Sequence, residues 1–128
     1  GFTLTLPQAE RRTVLVVDDN EDVLQLFRGY LMQYDYQVVT ARTGAEGLEL
    51  ARTLQPFAIT LDLMMPLQDG WDILQTLTNQ PATKHIPVII CTVLSAKELA
   101  LSLGAASFLE KPVTEQALIS ALSALDES

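Results

Sequence analysis

The chain has 128 residues, of which 48% are hydrophobic and 19% are charged, a length and composition that suit one folded domain and argue against disorder. Its formal net charge is −8 and its eight Lys and Arg residues are scattered, which argues against direct nucleic-acid binding but favours a divalent cation or a basic partner. The lone cysteine, Cys91, excludes an intrachain disulfide, and no apolar run approaches the roughly 20 residues of a membrane span, so a cytoplasmic protein without a membrane segment is expected.

Apolar runs alternate with helical patterns along most of the chain. The first residues lack the basic start and apolar core of a signal peptide, so residues 1–11 are interpreted as an N-terminal linker or cloning remnant and residues 12–126 as one domain. In chain order, the patterns predict strands at Val14–Val17, Gln37–Thr40, Phe57–Leu61, Pro87–Cys91 and Ser107–Leu109, each followed by a helix, at about 20–33, 43–54, 70–79, 96–103 and 114–125.

Turn and cap residues mark several of these boundaries. Thr43 followed by Glu46 is a capping-box pattern, and Gly104 is typical of the residue that follows a helix. The stretch from Asp62 to Gly70 predicts a loop. Because every strand is followed by a helix, we expect a doubly wound α/β domain with parallel strands and right-handed crossovers. Such sheets place their functional side chains at the carboxyl ends of the strands.

Five polar side chains follow the predicted strands where the strands end. Asp18 and Asp19 follow the first strand, Asp62 the third, Thr92 the fourth and Lys111 the fifth. Carboxylates beside a substrate phosphate are the oxygen ligands that Mg²⁺ prefers. A carboxylate can also attack phosphorus as a nucleophile, while a cation and Lys111 stabilise the charge on the transferred group. The sequence therefore predicts a magnesium-dependent phosphoryl site at this edge of the sheet.

Four motifs in this order carry a resemblance to a known family. They are Val16-Val17-Asp18-Asp19-Asn20, Asp62-Leu63-Met64-Met65-Pro66 with Asp69-Gly70 after it, Ile89-Ile90-Cys91-Thr92, and Gly104-Ala105 through Phe108-Leu109-Glu110-Lys111-Pro112. From about Arg12 to Leu125, the chain resembles the receiver domain of two-component response regulators, which histidine kinases phosphorylate. The resemblance implies a single flavodoxin-like, CheY-like domain with a five-stranded parallel sheet in the order 2-1-3-4-5 and five flanking helices.

The resemblance also implies roles for the acidic residues. Asp62 matches the phosphoacceptor. Asp19, Asp62 and the backbone carbonyl of Met64 match the direct ligands of Mg²⁺, and Asp18 matches a residue that holds the metal through water.

The resemblance also implies roles for residues in or just after the last two predicted strands. Thr92 and Lys111 match the residues that bind the phosphoryl group, and Phe108 matches an aromatic switch whose rotamer follows the threonine. The Lys111–Pro112 bond matches a position that is often cis, which an X-Pro bond permits.

The sequence departs from the family pattern at two places. The residue after the switch threonine is usually small but is Val93 here, so we expect its branched side chain to restrict access to the phosphoryl pocket. The stretch from Thr92 to Gly104 is short by nearly one helical turn, about 5 Å of helix. The fourth helix, on the family's usual output face, is therefore expected to be short.

The function implied by the resemblance is a phosphoacceptor switch. It would take a phosphoryl group from a phosphohistidine of a histidine kinase or phosphotransfer domain and catalyse only the phosphorylation and dephosphorylation of its own Asp62. The chain is interpreted either as a single-domain shuttle or as part of a longer parent protein with an output domain. The alternative is a receiver-like interaction module that is poorly phosphorylated because Val93 closes the pocket. An aspartyl-phosphate phosphohydrolase would need an acid where Met64 stands, and a nucleotide-binding flavodoxin-like protein would need a Gly-rich loop after the first strand.

Each of these residues also has a simpler structural interpretation. Asp19 could cap the first helix, and Phe108 and Trp71 could be ordinary packing residues. Cys91 suits a buried strand, and His85 has no neighbouring His or Cys with which to bind a metal. Because the acidic residues, Thr92 and Lys111 are all predicted at one sheet edge, we prefer the functional interpretation for them.

Overall fold

The computed structural model describes residues 11–66 and 68–126, so the predicted linker, residues 1–11, lies outside the described part except for its last residue. Five main strands run over β1 Arg12–Val17, β2 Tyr36–Ala41, β3 Ala58–Leu61, β4 Val88–Thr92 and β5 Ser107–Glu110. Five helices run over α1 Glu21–Met32, α2 Gly44–Leu54, α3 Gly70–Asn79, α4 Lys97–Ser102 and α5 Glu115–Asp126. No helix in these described ranges combines the length and apolar character that crossing a bilayer requires.

The five main strands form one parallel sheet in the order β2-β1-β3-β4-β5. This confirms the expected order and the alternating α/β architecture. The register aligns Val17 with Leu61 and Thr92 with Glu110, so neighbouring strands end close to the same level. The carboxyl ends of the strands therefore form one continuous edge on which the predicted site residues lie.

Helices cover both faces of the sheet, which explains the near-continuous apolar runs of the central strands β1, β3 and β4. Alternate residues of β1 enter different clusters: Leu15 and Val17 pack on one face, and Val14 and Val16 pack on the other. The first cluster includes residues of α2, α3 and α4, and the second includes residues of α1 and α5. Burial on both sides fixes the register of the strands, because a one-residue slip would exchange the two sets of side chains.

Side-chain caps fix the starts of four helices, including α5, where Oγ1 of Thr114 accepts the Ala117 N–H at 3.1 Å. Asn20, Thr43 and Asp69 each accept a hydrogen bond from a backbone N–H in the first turn of α1, α2 and α3. At α2 the Glu46 carboxylate accepts the N–H of Arg42, whereas a standard capping box would use the N–H of Thr43. Asn20 directly follows Asp18 and Asp19, and Asp69 lies at the end of the loop that begins at Asp62. These two caps therefore also fix the chain around the site.

The structure differs from the sequence-based expectation by more than one residue at the start of β1 and in the loop after β3, and the other element ends agree within one residue. Strand β1 begins at Arg12 because the chain already pairs with Tyr36 of β2 there. The predicted loop after β3 contains a two-residue antiparallel ribbon, Met64–Met65 with Gln68–Asp69. Helix α4 has six residues and begins after Ala96, which provides no side-chain cap, while Gly104 follows it with φ of 109°. The fourth helix is therefore short, as expected, and weakly fixed at its start.

Candidate functional site

Asp18 and Asp62 directly follow two neighbouring strands, β1 and β3. The Asp18 N–H donates to the Ala41 carbonyl at 3.0 Å, and the Asp62 N–H donates to the Val17 carbonyl at 3.2 Å, so both residues are fixed by backbone bonds across the sheet. One carboxylate oxygen from each of Asp18, Asp19 and Asp62 lies within 4.8 Å of the others. Asp18 and Asp62 are buried and Asp19 is exposed. The predicted acidic trio is therefore a real cluster with one side open to solvent.

Lys111, which directly follows β5, contacts this cluster through its side chain. Its backbone N–H donates to the Thr92 carbonyl at 2.8 Å, which fixes the chain just after β5 against the end of β4. Its Nζ donates to Oδ2 of Asp18 at 2.7 Å and to Oδ2 of Asp62 at 3.1 Å. One ammonium group therefore neutralises part of the charge of two buried carboxylates, and it lies where a negatively charged group on Asp62 would meet it.

The second oxygen of each buried carboxylate is bound by the backbone. Oδ1 of Asp18 accepts the Asn20 N–H at 2.9 Å, and Oδ1 of Asp62 accepts the Met64 N–H at 3.0 Å. Each carboxylate thus has one oxygen on a backbone N–H two residues later and the other on Lys111. This pair of Asx-type turns was missed in the sequence analysis, although an aspartate at a strand end followed by turn residues is its usual signal.

Burial and charge act against each other at this site. Burial raises the pKa of Asp18, while hydrogen bonds from Lys111 and the Asn20 backbone act in the opposite direction without cancelling it. Burial lowers the pKa of Lys111, but hydrogen bonds and charge from Asp18 and Asp62 outweigh burial and raise that pKa overall. Lys111 therefore remains an ammonium group at neutral pH, available to a phosphate or to the carboxylates.

Thr92, the last residue of β4, is fully buried, and its Oγ1 accepts the Leu94 N–H at 3.4 Å. Cys91 before it is also buried, and burial raises the pKa of its thiol, so the thiol stays protonated at neutral pH. Phe108 is partly buried and borders a groove between α4 and β5. The structure thus brings Thr92 to the same sheet edge as the acidic residues and places Phe108 one strand further away.

Val93 and Met64 lie at the outer rim of the site. Val93 is 58% exposed and borders an apolar groove with Leu26, Phe27 and Pro112, next to Lys111. Met64 is 51% exposed, and its backbone N–H is the group that contacts Asp62. The Lys111–Pro112 peptide bond is cis, as expected.

The donor set of the cluster fits a hard divalent cation. Three carboxylates within 4.8 Å of one another offer oxygen ligands, and Asp19 is open to solvent, so waters and a phosphate oxygen could complete the coordination. Among the described residues, no other group of three His, Cys, Asp or Glu side chains is close enough to bind a metal in this way.

Comparison with known proteins agrees with the fold. The sequence model of the family described as the response regulator receiver domain matches residues 14–123. The response regulator PleD of Caulobacter vibrioides is 36% identical over 115 residues, which are 88% of this chain and 25% of PleD. This chain therefore spans about a quarter of the length of that relative.

Two further proteins match over most of their own length. The polar-differentiation response regulator DivK of Brucella ovis is 31% identical over 106 residues, which are 80% of this chain and 86% of DivK. The crystal structure of a response regulator receiver domain protein from Clostridium thermocellum superposes with a TM-score of 0.82 at 32% identity, covering 91% of this chain and 94% of that one. The chain belongs to the family of response regulator receiver domains.

Proposed function

We propose that this receiver domain is phosphorylated on Asp62 in a reaction that depends on Mg²⁺. The observation that carries the proposal is the shared contact of Lys111 with the buried carboxylates of Asp18 and Asp62. A phosphoryl group attached to Asp62 would add roughly −1.5 to −2 of charge beside an ammonium group that is already in place. Asp18, Asp19 and the backbone carbonyl of Met64 are the proposed partners of Asp62 in holding the metal.

The chemical step is a phosphoryl transfer between two residues. An oxygen of the Asp62 carboxylate attacks phosphorus, the bond from phosphorus to a donor histidine nitrogen breaks, and the imidazole keeps the electron pair and takes up a proton. Mg²⁺, when bound, supplies charge stabilisation for the transferred oxygens. Lys111 stabilises the same charge, and the backbone N–H of Met64 orients the attacking carboxylate.

The remaining roles follow from position in the fold. Thr92 is proposed to bond the phosphoryl oxygens, and Phe108 to change rotamer with it. The phosphoryl donor is proposed to be a histidine kinase or a phosphotransfer domain in the cytoplasm. Residues 12–126 are proposed to form the receiver domain and residues 1–11 a linker, with an output domain in a longer protein as the receiver of the signal.

Labelling with a small phosphoryl donor tests the central step. The purified protein is incubated with acetyl phosphate, with and without Mg²⁺, and the site of phosphorylation is located by mass spectrometry after borohydride reduction. We expect labelling of Asp62 only with Mg²⁺, and none in Asp62→Asn. Asp72→Asn, which changes an exposed carboxylate on α3, is the matched control and should label like the parent. Labelling that persists in Asp62→Asn would contradict the assignment, and an NMR spectrum unchanged by Mg²⁺ and beryllofluoride would favour an unphosphorylated interaction module.

A further inference from the structure

Ser95 and Glu110 join two elements that lie next to the site. Ser95 lies in the four-residue segment between β4 and α4, and Glu110 is the last residue of β5. The Ser95 hydroxyl donates to Oε2 of Glu110 at 2.9 Å. This bond links the segment that leaves Thr92 to the strand end that leads into Lys111.

The position of this bond connects it to Thr92. Glu110 is paired with Thr92 in the register of the sheet, and Ser95 is only three residues beyond Thr92. Ala96 provides no side-chain cap for α4, so the Ser95–Glu110 bond fixes a segment whose helix start is otherwise weakly held. The Thr92 hydroxyl itself makes only a long bond of 3.4 Å, to the Leu94 N–H. A turn of Thr92 toward Asp62 would therefore move Leu94 and Ser95 and strain the bond to Glu110.

The same bond lies beside Phe108. Phe108 and Glu110 are two residues apart on β5, so their side chains point to the same face of the sheet. Ser95, Phe108 and Glu110 all border the groove between α4 and β5. Because the hydrogen bond joins two of the residues that line this groove, its loss would free both side chains beside the Phe108 ring.

We propose that Ser95 and Glu110 form a latch that holds Thr92 and Phe108 in the unphosphorylated arrangement. The latch rests on the proposed phosphorylation of Asp62. Ser95 and Glu110 act as positioning residues, because neither contacts the acidic cluster in the structure. A bond that exists in only one of two states shifts the equilibrium toward that state by its own strength. Loss of the latch should therefore make the phosphorylated arrangement easier to reach.

Beryllofluoride affinity at saturating Mg²⁺ measures this equilibrium, because the anion mimics a phosphoryl group on Asp62. Titrations are followed by the fluorescence of Trp71 and by NMR. For Ser95→Ala and Glu110→Ala we expect the dissociation constant to fall roughly three- to tenfold, as for the loss of one exposed hydrogen bond to a charged group. Ser102→Ala is the matched control, because the Ser102 hydroxyl donates to the Leu99 carbonyl within α4. It should bind like the parent.

Two conservative variants separate the latch from simple charge repulsion. Ser95→Thr keeps a hydroxyl donor and should bind within about twofold of the parent. Glu110→Gln keeps an acceptor oxygen but forms a weaker, neutral hydrogen bond, so its affinity should lie between those of the parent and Ser95→Ala. If the Glu110 charge alone mattered, Glu110→Gln would bind more tightly and Ser95→Ala would not, and that pattern would overturn the latch. Thermal unfolding of each variant establishes that it is folded.

The outcome for the parent protein distinguishes the two proposals. A parent that binds no beryllofluoride overturns both the proposed function and the latch. A parent that binds while Ser95→Ala binds with the same affinity overturns the latch alone. Support requires tighter binding in Ser95→Ala and Glu110→Ala, together with NMR shifts of their free forms toward the beryllofluoride-bound positions of the parent.

Discussion

Asp18 and Asp62 share a single cation, since Nζ of Lys111 lies 2.7 Å from Oδ2 of one and 3.1 Å from Oδ2 of the other. The three residues follow three different strands, so the shared contact exists only in the folded sheet. A divalent cation bound to the same carboxylates would feel repulsion from this ammonium group. The affinity for Mg²⁺ and the presence of Lys111 are therefore opposed, while the phosphoryl transfer proposed above uses both.

Replacing Lys111 with methionine separates these two effects. Lys111→Met keeps much of the side-chain volume and removes the charge, so we expect Mg²⁺ to bind roughly tenfold more tightly in calorimetric titrations. Labelling by acetyl phosphate should nevertheless fall strongly, because the group that stabilises the transferred oxygens is gone. Lys97→Met changes an exposed lysine of α4 and should alter neither measurement. Unchanged or weaker Mg²⁺ binding in Lys111→Met would contradict the competition.

Asp18 should destabilise the metal-free fold at neutral pH. Its pKa is raised from 3.8, mainly by burial, so the folded protein binds this proton more tightly than the unfolded chain does. The stabilisation of the fold that results from this tighter proton binding is fully present below the pKa of the unfolded chain. It is lost as pH rises through the raised pKa of the folded protein. The amide introduced by Asp18→Asn does not titrate, and its single oxygen can keep only one of the two hydrogen bonds from Lys111 and the Asn20 N–H. The substitution also removes the cost of burying a charge, which at Asp18 outweighs those bonds.

Asp18→Asn is therefore expected to unfold at a higher temperature than the parent at pH 7 without Mg²⁺, by roughly 3 °C. The difference should shrink as pH is lowered through the raised pKa toward 3.8. Calorimetric unfolding curves recorded between about pH 3.5 and about pH 7 measure the difference in unfolding temperature between Asp18→Asn and the parent. Asp35→Asn, an exposed change in the turn before β2, should show no such trend. An advantage that grows toward acid pH would have the wrong sign and refute the explanation.

The sequence predicted the parts of the molecule that depend on apolar patterns. Val14–Val17 and Val88–Cys91 are buried on both faces, so their positions fixed two strands and placed Asp18 and Thr92 at the sheet edge. Periodicity carries no information on which exposed polar groups pair across the fold. Ser95 and Glu110, 15 residues apart, are an example, and the backbone N–H of Met64 on Asp62 is another. The Ser95–Glu110 contact depends on the path of a short loop, which only the structure provides, whereas the contact of Met64 with Asp62 had a local turn signal that periodicity does not include.

Gly70 is required by close packing at the start of α3. A Cβ atom there would lie 2.4 Å from both the Cα atom and the carbonyl oxygen of Leu63, so the backbone after Asp62 would have to move. We expect Gly70→Ala to lower the free energy of unfolding by about 1–3 kcal/mol in denaturant titrations. It should also weaken Mg²⁺ binding, because the displaced loop carries Asp62 and Met64.

Gly29 provides the matched control for that substitution. A Cβ atom at Gly29 would meet no heavy atom within 4 Å, and the residue lies inside α1. Gly29→Ala should therefore stabilise the protein by about 0.5–1 kcal/mol, the usual difference between alanine and glycine in a helix. Equal effects of the two substitutions would show that helix propensity, and not the contact with Leu63, decides the result at Gly70.

Val93 is expected to limit how fast a phosphoryl donor reaches Asp62. It follows Thr92 directly, is 58% exposed, and borders an apolar groove together with Lys111, whose ammonium group contacts Asp62. We expect Val93→Ala to be labelled by acetyl phosphate roughly three- to tenfold faster, which corresponds to at most about 1.4 kcal/mol of barrier. Leu101→Ala removes a 39% exposed side chain from α4 and should label at the parental rate.

The beryllofluoride affinity of Val93→Ala shows whether a faster labelling rate results from easier access of the donor to Asp62. If Val93 only obstructs the path, Val93→Ala should label faster and yet bind beryllofluoride at equilibrium like the parent, because an obstruction changes the rates of entry and exit together. A change in affinity similar to that in rate would instead mean that Val93 stabilises one conformation of the segment after Thr92. An unchanged labelling rate would remove Val93 as a barrier, and the exposed position of its side chain would then mark only the rim of the groove.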